Sequence, residues 1–173
     1  MLAYVFSHRP ADAAHVSAYE DSLKQFHEQL AIASIDGFIA SATFAVGAGY
    51  SDWYLLESSS AMDALNAAAV SGPRAAAHDS AARMASDGVG KLLSLAVGSP
   101  SFAAGFEVRF GKPMGMPYAD FYARMKPWVE EPGVSLWRRM MVLGPAPEFC
   151  LLSPSRVELP SDMHPEVLRR KLI

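Results

Sequence analysis

A single cysteine, Cys150, stands in 173 residues, so no disulfide forms within the chain and the reducing cytoplasm is the expected compartment. It lies in the apolar run FCLL and reads as a buried, inert thiol. Long apolar runs are missing too, and nothing approaches the roughly 20 residues of a membrane span. The opening MLAYVFSHRPAD has no basic flank and reaches His8 and Arg9 too soon for a secretory leader. Charge of one sign is nowhere concentrated. A formal charge of −3 and a pI near 5.9 give no reason to expect nucleic acid or an anionic membrane as a partner. No two of the five histidines have metal-ligand spacing, so neither a metal site nor a cofactor is expected. Gly47-Ala48-Gly49 and Gly88-Val89-Gly90 lack the strand-to-helix context of a phosphate loop and read as hairpin and helix-cap glycines.

With 51% hydrophobic and 19% charged residues, the chain can bury a sizeable core. Residues 2–7 read as a strand. Pro10 and Asp12 mark the entry to a helix reaching Ala33, where Val16, Tyr19, Leu23, Phe26 and Leu30 form an apolar stripe and His15 and His27 fall off it. Residues 38–46 and 51–58 form a hairpin across the glycine turn. A helix over Ser58–Val70 is interrupted at Gly72-Pro73 and resumes to about Asp87-Gly88, and KLLSLAV, residues 91–97, closes this half as a strand. The order strand, helix, strand, strand, helix, strand is ferredoxin-like.

After a linker at 99–105 the pattern recurs over 106–173. FEVRFGKP matches AYVFSHRP, Gly133 matches Gly37, and EFCLLSPS matches DWYLLESS, at offsets of about 96 to 103 residues. A first half of 1–98 and a shorter second half of 106–173 follow, with EVLRRKLI at the end as either a short helix or an eighth strand. Strands such as WYLL and LLSLAV are apolar on both faces, so the second faces must meet each other. The expected fold is α+β: tandem duplicated ferredoxin-like halves packed sheet to sheet as an α+β barrel.

That arrangement resembles the dimeric α+β barrel superfamily, which includes stress-responsive barrel proteins and cofactor-independent antibiotic-biosynthesis monooxygenases. In that group two chains usually supply the halves, whereas this chain resembles a tandem fusion that either closes alone or pairs further as a homodimer. The resemblance implies an apolar ligand between sheet and helices, with a His, Tyr or Trp at the pocket. The haem-degrading branch uses an Asn on the first strand, a Trp and a helix His. Here the first strand offers Ser7 or His8, and the only asparagine, Asn66, falls on a helix.

The candidate site residues are His78 as a catalytic base, and Trp53, Tyr54, His8 and Arg139 as ligand contacts. His78 sits among small alanines and reads either as a base over an apolar pocket or as a helix-edge histidine. Asp79, one position on, diverges by roughly 100° around the helix and is expected to pair with Arg83. Trp53 and Tyr54 are strand neighbours, so only one faces the helices, and core filling is the plain alternative for both. His8 reads as a ligand contact or a solvated strand end. Arg138 and Arg139 point to opposite faces, with Glu107, Glu148 or a ligand carboxylate as partners. Met114, Met116, Met140 and Met141 read as core filler or cavity lining. The expected function is to bind a small, largely apolar molecule. The alternatives are a monooxygenase, cyclase or isomerase acting on an aromatic or polyketide-like substrate, and a ligand-free assembly module.

Overall fold

The computed structural model describes residues 1–173. Eight strands, β1 (Leu2–Pro10), β2 (Phe38–Val46), β3 (Gly49–Leu56), β4 (Ala85–Gly98), β5 (Phe106–Phe110), β6 (Ser135–Arg139), β7 (Phe149–Ser153) and β8 (Glu166–Leu172), alternate with helices α1 (Val16–Ala31), α2 (Ala61–Ala69), α3 (Pro73–Met84) and α4 (Tyr118–Val129). The strands close into one antiparallel barrel in the order β1-β3-β2-β8-β5-β7-β6-β4. The mixed α+β architecture is therefore as expected. The C-terminal residues form the eighth strand, which joins the halves at one seam by pairing with β2 and β5.

Strand alternation sorts the side chains. Ala3, Val5, Phe44, Trp53, Leu55, Leu93, Trp137, Cys150 and Leu152 fill the barrel, and Trp53 meets Trp137 edge to face at 5.5 Å. Alternate residues point outward. In the first half they meet the apolar stripe of α1 together with α2 and α3, and in the second half Val108, Phe110, Leu136 and Phe149 pack on Phe121, Met125 and Val129 of α4. No helix is long and apolar enough to cross a membrane.

Three local expectations are corrected. First, α3 ends at Met84, and Gly88 and Gly90 lie within β4 instead of capping a helix. A Cβ at Gly88 would come within 2.6 Å of the Phe6 ring, and one at Gly90 within 2.5 Å of the Tyr4 hydroxyl. These glycines let two aromatic rings of β1 lie flat across β4. Second, the matched motifs are out of phase: Trp53 points into the barrel whereas Phe149 points to α4, and Ala3 and Phe106 differ likewise. A one-residue error in a period-two alignment reverses every side chain. Third, Met114 and Met141 are fully or largely exposed and neither fill a core nor line a cavity.

Candidate functional site

The register of β1 against β3 places Tyr4 opposite Tyr54, Phe6 opposite Asp52, and His8 opposite Tyr50, all on the face covered by helices. Buried Ala77 and Ala81 bring α3 close, while Phe26 and Leu23 of α1 and Leu65 of α2 complete an apolar wall. Between them is a cavity of about 350 Å³, lined also by Phe6, Met62, Asn66, Ala69 and His78.

At its floor lies a buried carboxylate. Asp52 Oδ1 accepts from the Thr43 hydroxyl at 2.6 Å, and Oδ2 accepts from the Tyr54 hydroxyl at 3.4 Å. The Nε2 atoms of His8 and His27 lie 3.2 Å from Oδ2 and 3.5 Å from Oδ1, close enough to attract the carboxylate but off the line of an aligned hydrogen bond. Each ring turns its Nδ1 to a hydroxyl, His8 to Tyr19 and His27 to Ser41. Burial alone would push the Asp52 carboxyl up, but its contacts with His27 and His8 outweigh this and hold it well below the usual carboxylate range. Burial, reinforced by the charge of Asp52, pushes the Tyr54, Tyr19 and Tyr4 phenols above their ordinary value. They are therefore neutral, and the Tyr19 hydroxyl shares a hydrogen bond with His8 Nδ1.

The rim differs from the floor. Tyr4, Asn66 and His78 line the cavity, and the Tyr4 hydroxyl, the Asn66 amide and His78 Nε2 make no hydrogen bond to the rest of the chain. His78 thus borders the pocket, with its side chain 36% exposed and its ring edge on to Phe26 at 5.6 Å. Its Nδ1 lies 3.1 Å from Asp79 Oδ1, so the expected Asp79–Arg83 pair gives way to a contact with the neighbouring histidine. Divergent Cβ directions do not prevent this, because both side chains are long enough to bend together across a half-exposed helix edge.

The other candidates are dispersed. His8 and Tyr54 line the cavity, whereas Trp53 is 1% exposed inside the barrel and Arg139 faces the barrel interior, bonding the Gly144 carbonyl at 2.9 Å. Arg138 takes the carboxylate, bonding Glu148 at 2.7 Å while its guanidinium lies over the Tyr118 ring. Sequence reading missed Asp52, His27, Tyr19, Tyr4 and Asn66. One signal was available: an acid inside the apolar strand GYSDWYLL, in phase with Tyr50 and Tyr54, is costly to bury without partners.

No protein-family model matches the chain, and no curated protein matches it. Among solved structures, the crystal structure of a candidate chlorite dismutase aligns over 99% of this chain and 94% of its own, with a TM-score of 0.59 and 11% identity. The likeness is one of fold. Haem, which the haem-degrading branch of these barrels would imply, does not fit the residues present. No Lys or Arg lines the cavity to meet propionates, and His8 and His27 each spend Nδ1 on a hydroxyl and set Nε2 against the Asp52 carboxylate. The equivalent outer face of the second half is packed with Phe110, Phe121, Met125 and Phe149.

Proposed function

We propose that this protein binds a small, largely apolar and uncharged molecule in the cavity between the first-half strands and α1–α3. The observation that carries this reading is the division of polar groups. Those on the floor gather around the Asp52 carboxylate, while Tyr4, Asn66 and His78 make no side-chain hydrogen bond across the otherwise apolar enclosure. About 350 Å³ is at the small end of ligand pockets and suits a molecule of one or two rings. The ionised Asp52, with no Lys or Arg on the walls, disfavours an acidic ligand. The two four-strand sets β4-β1-β3-β2 and β8-β5-β7-β6 further support a tandem ferredoxin-like duplication, of which only the first retains an open outer face.

A thermal-shift comparison of 2-naphthol with 2-naphthoate tests the reading. The neutral compound at a hundredfold over its Kd is expected to stabilise by about 2.7 kcal/mol, a rise of several degrees. The acid is expected to do nothing. Tyr4→Phe, Asn66→Ala and His78→Ala should each weaken a hydrogen-bonding ligand by about 1 kcal/mol, roughly fivefold. If a broad panel of neutral aromatics gives no shift, or if Ala82→Phe at the cavity wall leaves binding intact, the pocket is not a ligand site.

One further observation favours proton transfer in the same pocket. Asp79 holds Nδ1 of His78, leaving Nε2 free to take a proton from a bound C–H or O–H acid, as a cofactor-independent isomerase, cyclase or oxygenase requires. Deuterium exchange at the α-carbon of 2-tetralone in D2O checks this directly. His78→Gln should abolish exchange while preserving both binding and melting temperature; exchange at the wild-type rate in that variant would eliminate the role.

A further inference from the structure

The barrel interior is not wholly apolar. Near one end the sheet register turns Lys91, Arg109, Arg139 and Arg170 inward, level with Val5, Cys150, Leu93 and Val46 on adjacent strands. Two carboxylates answer them. Glu107 Oε1 accepts from Arg109 Nε at 2.6 Å, its Oε2 lies 4.0 Å from Arg170, and Glu166 sits opposite Arg109 in the β5–β8 register. Lys91 and Arg139 reach only the backbone carbonyls of Pro147 and Gly144. Arg170 has no exposed side-chain surface, and none of its three nitrogens finds a hydrogen bond; its guanidinium carbon lies 3.2 Å from the Phe44 ring centroid.

Four cations against two carboxylates leave two positive charges unmatched. Taking an ion from water costs several kcal/mol unless a counter-charge meets it, and a desolvated contact with an aromatic face returns about 2 kcal/mol or more, short of a full counter-charge. Burial accordingly lowers the Arg170 guanidinium to about 10 despite the nearby Glu107. At this end a second cavity of about 440 Å³ opens at the barrel mouth, bordered by Ser7, the Gly47–Gly49 turn, Arg109 and Glu166, with Arg9 and Asp87 offsetting each other at its rim. Arg109 spends only its Nε on Glu107, so its two terminal nitrogens remain available as a fork. His8 alone borders both this cavity and the helix-side pocket.

We propose that the barrel-mouth cavity binds a small dianionic group, a phosphate or a dicarboxylate, held by the Arg109 fork with Lys91, Arg139 and Arg170 supplying the charge behind it. Such a ligand differs in class from the neutral molecule assigned to the helix-side pocket, and neither site depends on the other being occupied.

The experiment titrates the full chain with inorganic phosphate and, separately, with malonate, each against sodium chloride at matched ionic strength, following melting temperature and tryptophan fluorescence. Trp53 lies 5.2 Å from the Arg170 guanidinium and reports the site even in a destabilised variant. Saturable binding of at least one ion is expected, with chloride inert. Phosphate alone points to a phosphorylated ligand, and malonate alone to a dicarboxylate. Arg109→Gln should weaken binding by about tenfold or more, whereas Glu107→Gln, which removes a competing carboxylate, should tighten it. Absence of saturable binding by either ion, or equal binding by wild type and both variants, overturns the proposal.

Discussion

Asp52→Ala is expected to lower the unfolding free energy by about 3–5 kcal/mol, because removing one partner of a buried ionic cluster strands the others. The reason is local. Asp52 is 3% exposed, is the common acceptor for Thr43 and Tyr54, and lies 3.2 and 3.5 Å from the Nε2 atoms of His8 and His27. For a domain of this length that loss corresponds to a fall of roughly 6–20 °C in Tm. Asp52→Asn, which keeps an acceptor for Thr43 but not the charge, should fall between alanine and wild type. The effect has a pH signature. Since the folded-state carboxyl lies below its ordinary value, its stabilisation is complete above the unfolded pKa of about 4 and is lost as pH falls from there toward the folded value. Urea unfolding of wild type and Asp52→Ala between pH 7 and pH 2 should therefore show curves that lie apart at neutrality and converge in acid. A gap under about 1 kcal/mol at pH 7 would mean that the carboxylate does not organise the floor of the pocket.

Trp53→Ala is expected to cost a similar amount, about 3–5 kcal/mol, for a different reason: it empties the centre of the barrel. Trp53 is 1% exposed, packs edge to face on Trp137, and belongs to the interior cluster that spans both halves. A double-mutant cycle of Trp53→Ala with Trp137→Ala should show coupling of about 0.5–1.5 kcal/mol from the aromatic pair. The functional consequence separates this residue from those of the pocket. Below its lowered Tm, Trp53→Ala should bind a neutral aromatic as tightly as wild type, whereas Tyr4→Phe or His78→Ala should lose affinity with little change in Tm. A large loss of affinity in folded Trp53→Ala would place the ligand in the barrel and not under the helices.

Much of the fold was legible because it rests on local periodicity. The three-four spacing of Tyr19, Leu23, Phe26 and Leu30 defined the buried face of α1, the glycines at 47 and 49 marked the hairpin, and Pro73 opened α3 at its first turn. Strands apolar on both faces demanded a covered second face, and barrel closure supplies it. The site was legible only in part. His78 could be singled out because a histidine among alanines stands out, and His8 and Tyr54 because the family resemblance implied a His, Tyr or Trp at the pocket. His27 was passed over as lying off the apolar stripe of α1. It adjoins Phe26 at the stripe's edge and is 7% exposed, because β2 carries Ser41 up to its ring.

By itself the sequence determined the order of the elements up to the last one, the alternation of faces along each strand, and the lack of any disulfide within the chain. These follow from spacing along one chain, where the physics is local. Tertiary structure alone decided that Asp52 is shared between a histidine of β1 and one of α1, that His78 lines a cavity, and that Arg109 and Arg170 converge on Glu107 inside the barrel. Each depends on groups far apart in sequence meeting at a few ångströms. Electrostatic and hydrogen-bond energies change steeply over that range, and no one-dimensional pattern records it.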